Sequence, residues 1–138
     1  MKIEIKKATI KETKGLEKIS RIANKEFSFW SFQSAGQFKK IIKNKLKGVY
    51  LAIVNKKIVG ILVYKYDKEE RRLWIEEVYL LKEFRNKGIT KILILNATKK
   101  FNKIKYISIV LLTADRNKKI FERLGFKKTM NYMEFTKK

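Results

Sequence analysis

The chain has 138 residues, and 35 basic against 13 acidic side chains give it a formal net charge of +22 at pH 7. It contains neither cysteine nor histidine. This excludes disulfides, thiolate nucleophiles, Ser-His or Cys-His catalysis and the common zinc sites, so we expect no metal. Any acid–base chemistry must use carboxylates, tyrosine, lysine, water or the backbone.

Length and an apolar fraction of 45% predict a single globular domain over residues 1–138. The N-terminal stretch is charged throughout, and no apolar run reaches the ~18 residues that span a bilayer. We therefore expect a cytoplasmic protein that does not enter a membrane. The positive charge favours polyanionic partners such as nucleic acid. Because the lysines are spread along the whole chain, a lysine-rich solvated surface explains the same charge.

The first third of the chain predicts one strand and two helices. Alternating isoleucines indicate a strand near residues 2–8. A capping-box pattern at residues 9–12 opens a helix, and residues 27–33, FSFWSFQ, are unusually aromatic. A second capping-box pattern at residues 34–37 opens a helix that we expect to end at Gly48. The apolar faces are Leu16, Ile19, Ile22, Ala23 and Phe27 in the first helix and Phe38, Ile41, Ile42 and Leu46 in the second.

Three strands joined by tight turns follow. Residues 49–54 and 57–66 form a hairpin around the turn Asn55-Lys56, and Gly60 marks a bulge in its second strand. A polar turn then leads into a third strand over residues 71–81. The pattern predicts an antiparallel core to the sheet.

The third strand runs into a basic turn, RNKGIT at residues 85–90, and then into a helix. A glycine turn between a strand and a helix aims free backbone N–H groups at one point, at the positive end of the helix dipole, which suits a phosphate. Lys87 and Lys91 add positive charge there. The helix is apolar over much of its circumference, which predicts packing against a sheet through Ile92, Leu93, Leu95, Ala97 and Phe101.

The last third predicts strand, helix and strand. Residues 106–112, YISIVLL, indicate a buried strand parallel to its predecessor. A short helix over residues 117–124 ends at Gly125-Phe126, and residues 126–136 alternate as a final strand. The order β-α-α-β-β-β-α-β-α-β predicts an α/β (α+β) domain, with a mixed, mostly antiparallel central sheet flanked by helices and one βαβ unit.

Two segments, WIEEVYLLKEFRNKGIT at residues 74–90 and IFERLGF at residues 120–126, resemble motifs of the GNAT family of acetyl-coenzyme A-dependent N-acetyltransferases. The predicted element order is also that of the GNAT fold, so the resemblance covers essentially the whole chain. It is strongest to the branch that modifies small amines. It implies acetyl-CoA as cofactor and direct attack of an amine on the thioester, which needs no Cys, His or metal.

The resemblance also implies site residues. By resemblance the base would be Glu76, with Glu77 second. Neighbouring strand residues normally face opposite sides, so the two do not face one substrate equally, and a bulge in this strand would blur the choice. Phe29, Trp30 and Phe32 would line the acceptor pocket, although they also fit a core or a dimer contact. The cofactor would be held through Val78, Tyr79, Leu80, Arg85, Asn86, Lys87, Gly88, Ile89, Thr90, Lys91, Asn117 and Phe121.

Three positions depart from the family pattern. Thr90 stands where Gly or Ala is usual, and it crowds the turn. Ala114 stands where many members have a cofactor-binding asparagine, for which Asn117 substitutes if the loop is shorter. Phe121 replaces the tyrosine that protonates the leaving thiolate. The candidates for that acid are then water, Tyr79, Tyr106 and Tyr132.

We therefore expect an N-acetyltransferase that transfers the acetyl group of acetyl-CoA to a small primary amine, as a monomer or homodimer. Two alternatives stand beside it. One is a GNAT-fold binding module with weak or no catalysis that holds RNA or another polyanion, which Phe121, Thr90 and the charge favour. The other is a GNAT enzyme that acts on tRNA-borne or protein amines.

Overall fold

A computed structural model describes residues 2–27, 30–101, 108–111, 118–123 and 125–127 of the chain. These residues form strands and helices in the predicted order, from the first strand to the last helix. Within these ranges no helix is long and apolar enough to cross a membrane. The strands are β1 Glu4–Lys7, β2 Lys47–Val54, β3 Lys57–Asp67, β4 Arg72–Leu80 and β5 Ser108–Leu111, and the α-helices are α1 Thr13–Glu26, α2 Ala35–Lys43, α3 Ile89–Phe101 and α4 Lys118–Arg123.

The strands form one sheet in chain order. Strands β1 to β4 pair antiparallel, and β5 pairs with β4 in parallel, up to Ile75 opposite Leu111. Residues 59–64 of β3 are buried without a break, so both faces of the sheet are covered. Helices α1 and α2, which pack against each other, cover one face, and α3 covers the other. The predicted mixed, mostly antiparallel sheet is confirmed.

Both predicted capping boxes are present. The backbone N–H of Thr9 donates to the carboxylate of Glu12 at 3.0 Å, and that of Ser34 donates to the side chain of Gln37 at 2.7 Å. Each Ser or Thr hydroxyl accepts a backbone N–H in return. The first box opens a 3₁₀ turn, Ile10–Glu12, and α1 follows it directly.

Helix α2 ends at Lys43, and the prediction that it continues to Gly48 is wrong. Asn44 leaves the helical conformation, with φ −78° and ψ 127°, and its side-chain oxygen accepts the backbone N–H of Leu46 at 2.8 Å. This local turn competes with further helical hydrogen bonds. Leu46 therefore lies beyond the helix and is exposed, and Gly48 lies inside β2.

The buried faces of α1 and α3 each differ from the prediction at two positions. In α1, Ile22 is exposed and Ser20 is fully buried, where its hydroxyl accepts the backbone N–H of Gln33 at 2.9 Å. In α3, Leu95 is exposed and Ile94 is buried. A helix that is apolar over most of its circumference does not reveal from its sequence which side meets the sheet.

The hairpin between β2 and β3 has an irregular register. Asn55 and Lys56 both adopt positive φ, 50° and 65°, as a two-residue hairpin turn requires. The pairing then slips by one residue, which leaves Val59 as the extra residue, directly before the Gly60 where the bulge was predicted. Gly60 meets a different constraint, because a Cβ there would overlap the buried side chain of Leu80.

Helix α4 ends in a Schellman motif. The N–H of Phe126 donates to the carbonyl of Phe121 and that of Gly125 to the carbonyl of Glu122, both at 3.0 Å, and Gly125 has φ 96°. The predicted end of this helix at Gly125-Phe126 is confirmed. The strand predicted over residues 126–136 falls outside the described residues, apart from Phe126 and Lys127, which lie in no strand.

Gly60→Ala is expected to lower the free energy of unfolding by about 1–3 kcal/mol, because the new methyl group would overlap Leu80 and lie 3.3 Å from the carbonyl of Tyr79. Gly36→Ala is the matched control. It lies in the first turn of α2, its Cβ would meet only Ser34 Oγ at 3.8 Å, and alanine favours a helix. Urea unfolding followed by circular dichroism measures both, and equal midpoints for the two variants would contradict the expectation.

Candidate active site

Strand β4 carries a bulge at Glu76. Glu77 pairs with Val63 of β3, whereas Ile75 pairs with the next residue, Tyr64, so Glu76 is the extra residue. Cross-strand partners share a face of the sheet, and consecutive residues of β3 face opposite sides. Glu77 therefore lies on the opposite face of the sheet from Ile75, although the two residues are only two positions apart.

Glu77 faces the loop between α1 and α2. Its Oε1 accepts a hydrogen bond from Nε2 of Gln33 at 3.4 Å, and its Oε2 is buried without a hydrogen-bond partner among the described residues. Burial raises the pKa of Glu77 to about 7, and the negative charge of Glu76 adds to the rise. Glu76 itself is exposed. A carboxyl group with a pKa near neutrality can accept and release a proton under ordinary conditions.

The loop that contacts Glu77 is fixed to α1 by side-chain hydrogen bonds. The N–H of Gln33 donates to the hydroxyl of the buried Ser20 at 2.9 Å, and the side-chain amide of Asn24 donates to the carbonyl of Trp30 at 2.7 Å. Ser20 and Asn24 belong to α1, and Trp30 and Gln33 belong to the loop that follows it. These bonds hold the Gln33 amide within reach of the carboxyl group.

The aromatic residues predicted to line the acceptor pocket do not stay together. Trp30 is buried, and its ring centroid lies 5.4 Å from that of Tyr79 on β4. Phe32 lies under the guanidinium of Arg21, 4.6 Å from it, and is exposed at the surface of α1. Phe29 lies outside the described residues. Of the two that are described, the contacts place Trp30, and not Phe32, against the bulged strand.

Arg85 joins the end of β4 to the end of α1. Its guanidinium donates two hydrogen bonds to the Glu26 carboxylate, at 2.6 and 2.7 Å, and two to the carbonyl of Leu80, at 3.0 and 3.2 Å. The hydroxyl of Tyr79 donates to the same carboxylate at 2.6 Å. This side chain is thus engaged within the protein, which differs from the phosphate contact expected of it.

The same contacts determine the protonation states of Glu26 and Tyr79. Hydrogen bonds from Arg85 lower the pKa of Glu26 to about 2. Burial, followed by the hydrogen bond to Glu26, raises the pKa of Tyr79 to about 12. Around neutral pH, Glu26 is therefore ionised and Tyr79 keeps its proton in the hydrogen bond to that carboxylate.

The basic turn has the backbone conformation that its sequence predicts. Asn86 and Gly88 adopt positive φ, 63° and 79°, and a Cβ at Gly88 would meet nothing within 4 Å, so the space beside the turn is open. Ile89 is buried and anchors the start of α3, whose first N–H groups have no acceptor within the helix. The nearby side chains are exposed or half-buried: Lys87, Thr90 and Lys91. Free N–H groups, the helix dipole and two lysines suit a pyrophosphate.

Among the residues that the structure describes, no strand pairs with the edge of β4 that faces away from β3 beyond the bulge. The N–H of Leu81 donates to the carbonyl of Val59 on β3 at 2.8 Å. Because alternate residues of an antiparallel strand point their N–H and C=O groups to opposite edges, those of Tyr79 point towards β3, and those of Val78 and Leu80 point away from it. The described pairing with β5 stops before the bulge. The Leu80 carbonyl accepts hydrogen bonds from the Arg85 guanidinium, which leaves the backbone N–H and C=O of Val78 at this edge.

Phe121, expected to contact the cofactor, is half-buried in α4 and packs edge to face on Phe126, with ring centroids 5.9 Å apart. A phenyl ring has no proton to donate, so this position supplies no acid. Asn117, with Ala114, Tyr106 and Tyr132, lies outside the described residues.

The sequence model of the acetyltransferase (GNAT) family matches residues 16–126. The chain belongs to the GNAT acetyltransferase family. It is therefore an acyl-CoA-dependent N-acetyltransferase, and acetyl-CoA is the cofactor that this family uses. The matched region includes the bulged strand, the basic turn and the Schellman motif. No curated protein matches the chain significantly.

Solved structures of other acetyltransferases share this GNAT fold. The aminoglycoside acetyltransferase HMB0005 from an uncultured soil metagenomic sample has a TM-score of 0.84 at 13% identity, with 100% of each chain covered. Aminoglycoside N-acetyltransferase AAC(6')-Iy in complex with CoA has a TM-score of 0.80 at 14% identity, with 99% of this chain and 95% of that chain covered. Ribosomal-protein-alanine N-acetyltransferase from Brucella melitensis has a TM-score of 0.73 at 14% identity, with 99% of each chain covered.

Two residues of this GNAT site were not anticipated from the sequence. Glu26 closes α1 in a stretch rich in charged residues, where nothing distinguishes it as the partner of Arg85. Gln33 contacts Glu77 across 44 positions of sequence. The one available signal for Gln33 is its place at the end of the aromatic segment 27–33, just before a capping serine.

Glu26→Gln is expected to lower the free energy of unfolding by about 1–2 kcal/mol at pH 7, since it removes the charge from a partly exposed bidentate pair. Because the pKa of Glu26 is lowered from 4.5 to about 2, this stabilisation is present above pH 4.5 and is lost as the pH falls towards 2. Thermal unfolding of variant and wild type at pH 7 and at pH 3 should show the gap narrowing.

The control for this experiment is Arg72→Leu, which removes an ion pair to Glu70 at 3.3 Å between largely exposed side chains. Exposed pairs contribute little, so its melting temperature should stay close to that of the wild type at both pH values. A Glu26→Gln variant that behaved like this control would show that the Arg85 contacts do not stabilise the fold.

Proposed function

We propose that this acetyltransferase acetylates a primary amine and that Glu77 is its general base. The observation that carries the proposal is the bulge at Glu76, which places the Glu77 carboxyl group beside the loop between α1 and α2, with one buried oxygen unbonded in the described part of the chain. The sequence favoured Glu76 for this role, but Glu76 is exposed on the bulge. A pKa near 7 supports the choice of Glu77, because such a carboxylate is both available and basic enough to take a proton.

The residues present fit acetyl-CoA. The open turn around Gly88 and the N–H groups at the start of α3 would hold the pyrophosphate, with Lys87 and Lys91 beside it. The free edge of β4 at Val78 would hold the pantetheine arm through its backbone N–H and C=O. The half-buried Thr90 keeps its backbone N–H at the helix start, as the usual Gly or Ala does.

Acetyl-CoA supplies a thioester carbonyl, at which a C–N bond to the acceptor amine forms and the C–S bond breaks. Glu77 takes one proton from the amine nitrogen, directly or through a water molecule. Backbone N–H groups at the edge of β4 stabilise negative charge on the carbonyl oxygen. The leaving thiolate would need a proton. Phe121 has none to give and the Tyr79 hydroxyl is held by Glu26, which leaves water, Tyr106 and Tyr132 as donors.

The cofactor assignment is tested with an isosteric pair at Gly88. Asn and Asp both tolerate the positive φ of 79° found there, and only Asp adds a charge that would repel a pyrophosphate. We expect micromolar binding of acetyl-CoA to the wild type, about −8 kcal/mol. Calorimetric titration should show Gly88→Asp weakened by about tenfold or more relative to Gly88→Asn. Equal affinities for the two variants would place the pyrophosphate elsewhere.

The base is tested with Glu77→Gln and, as its neighbour control, Glu76→Gln. At pH 7.5 the kcat/KM of Glu77→Gln should fall by about 10²–10⁴-fold, measured by thiol release over a panel of primary amines. The wild-type kcat/KM should rise with pH through about 7 as Glu77 ionises, and the defect should shrink at high pH, where the amine arrives neutral. The exposed Glu76→Gln should change kcat/KM only a few-fold. The opposite order of losses would restore Glu76 as the base.

A stability measurement separates loss of the base from loss of the fold. Because the pKa of Glu77 is raised by folding, ionising it destabilises the protein as the pH rises from about 4.5 to about 7. Glu77→Gln lacks this effect, so its melting temperature should exceed that of the wild type at pH 9 and approach it at pH 4. An inactive variant with this profile is folded.

A further inference from the structure

Three buried polar atoms beside β4 have no hydrogen-bond partner in the part of the chain that the structure describes: Oε2 of Glu77, Oε1 of Gln33 and Nε1 of Trp30. Trp30 is the most enclosed of the three residues, with 7% of its surface exposed. An unpartnered buried donor or acceptor is destabilising, so a group of them calls for a bound partner.

The three atoms lie on the same side of the sheet. The Gln33 amide is 3.4 Å from the Glu77 carboxylate. The Trp30 ring packs on Tyr79, which follows Glu77 on the same face of β4 at a spacing of about 7 Å. Trp30 and Gln33 also belong to one loop, three residues apart. The loop therefore brings the Gln33 amide oxygen and the Trp30 indole N–H to the side of the sheet that carries the Glu77 carboxylate.

The hydrogen-bond types select the ligand chemistry. The two oxygens lack donors, which the several N–H bonds of a primary amine or ammonium supply. The indole N–H lacks an acceptor. Protonated alkylamines and polyamines carry N–H donors and no lone pair, and the lone pair of a neutral amine is used to attack the thioester. Neither form therefore offers the indole an acceptor. An acceptor molecule with an oxygen close to its amine satisfies all three atoms.

We propose that the acceptor of this enzyme is a 1,2-amino alcohol, in open-chain or sugar form, and that the Trp30 N–H binds its oxygen while Glu77 and Gln33 bind its amine. The inference rests on the proposed function and narrows it from primary amines in general to this class. Trp30 is then a specificity-determining residue, and Gln33 positions the amine against the base.

The test compares ethanolamine with propylamine, which differ by one hydroxyl in place of a methyl group. Rates of thiol release are expressed per neutral amine, to correct for the different basicities of the two compounds. The wild type should favour ethanolamine in kcat/KM by about tenfold to hundredfold, as expected when a buried donor gains or loses its partner. A wild-type ratio near one would overturn the inference, whatever any variant does.

Trp30→Phe keeps an aromatic ring against Tyr79 and removes the N–H. The ratio for the two amines should fall to about one. Trp74→Phe is the matched control, because it makes the same change at the other tryptophan of the chain, and its ratio should equal that of the wild type. If Trp30 acts through packing alone, both amines lose rate by the same factor and the ratio is unchanged, which would overturn the inference.

The two proposals fail in different ways. Turnover of both amines without a preference overturns the amino-alcohol inference and leaves the acetyltransferase proposal in place. Absence of thiol release with every amine, in a protein that binds acetyl-CoA by calorimetry, overturns the proposed function and this inference with it.

Discussion

One extra residue in β4 determines which of its side chains face the loop between α1 and α2. Strand side chains alternate between faces, so the insertion of Glu76 reverses the alternation for everything that follows. Ile75 stays on the face of Tyr64, while Glu77 and Tyr79 turn to the loop between α1 and α2. Removing the bulge would exchange the faces of the buried carboxyl group and its exposed neighbour, and with them the chemistry of the site.

The Arg85 contacts connect the two halves of this site. The guanidinium lies at the start of the basic turn and bonds Glu26 at the end of α1, where the loop with Trp30 begins. It also lies 5.5 Å from the rings of both Phe27 and Tyr79, so apolar surface surrounds a charged pair. The basic turn and the loop that contains Trp30 are therefore held by one bidentate ion pair.

The sequence was sufficient for the element order and for local features, because each of these depends on neighbouring residues. The capping serine and threonine, the turn at Gly88 and the end of α4 at Gly125 are examples. A bulge in β4 was allowed for from the sequence, but its position was not predictable, because no Gly or Pro marks Glu76 and the position depends on the partner strand. The resemblance placed Glu76 first and Glu77 second as the base, and the bulge turns Glu77, not Glu76, towards the loop between α1 and α2. The end of α2 and the buried side of α3 likewise depended on a side-chain turn and on tertiary packing.

The raised pKa of Glu77 shows which electrostatic effect dominates in a chain of net charge +22. Positive charge favours a carboxylate and would lower its pKa, whereas burial disfavours it. Burial prevails because water and salt screen exposed lysines over about 8–10 Å. The same net charge repels a polycation that approaches from solvent, and it repels a molecule with one amine and a neutral oxygen much less. If the acceptor is an amino alcohol as proposed, overall charge and the indole of Trp30 would both disfavour polyamines by independent physical effects, one acting at long range and one at contact.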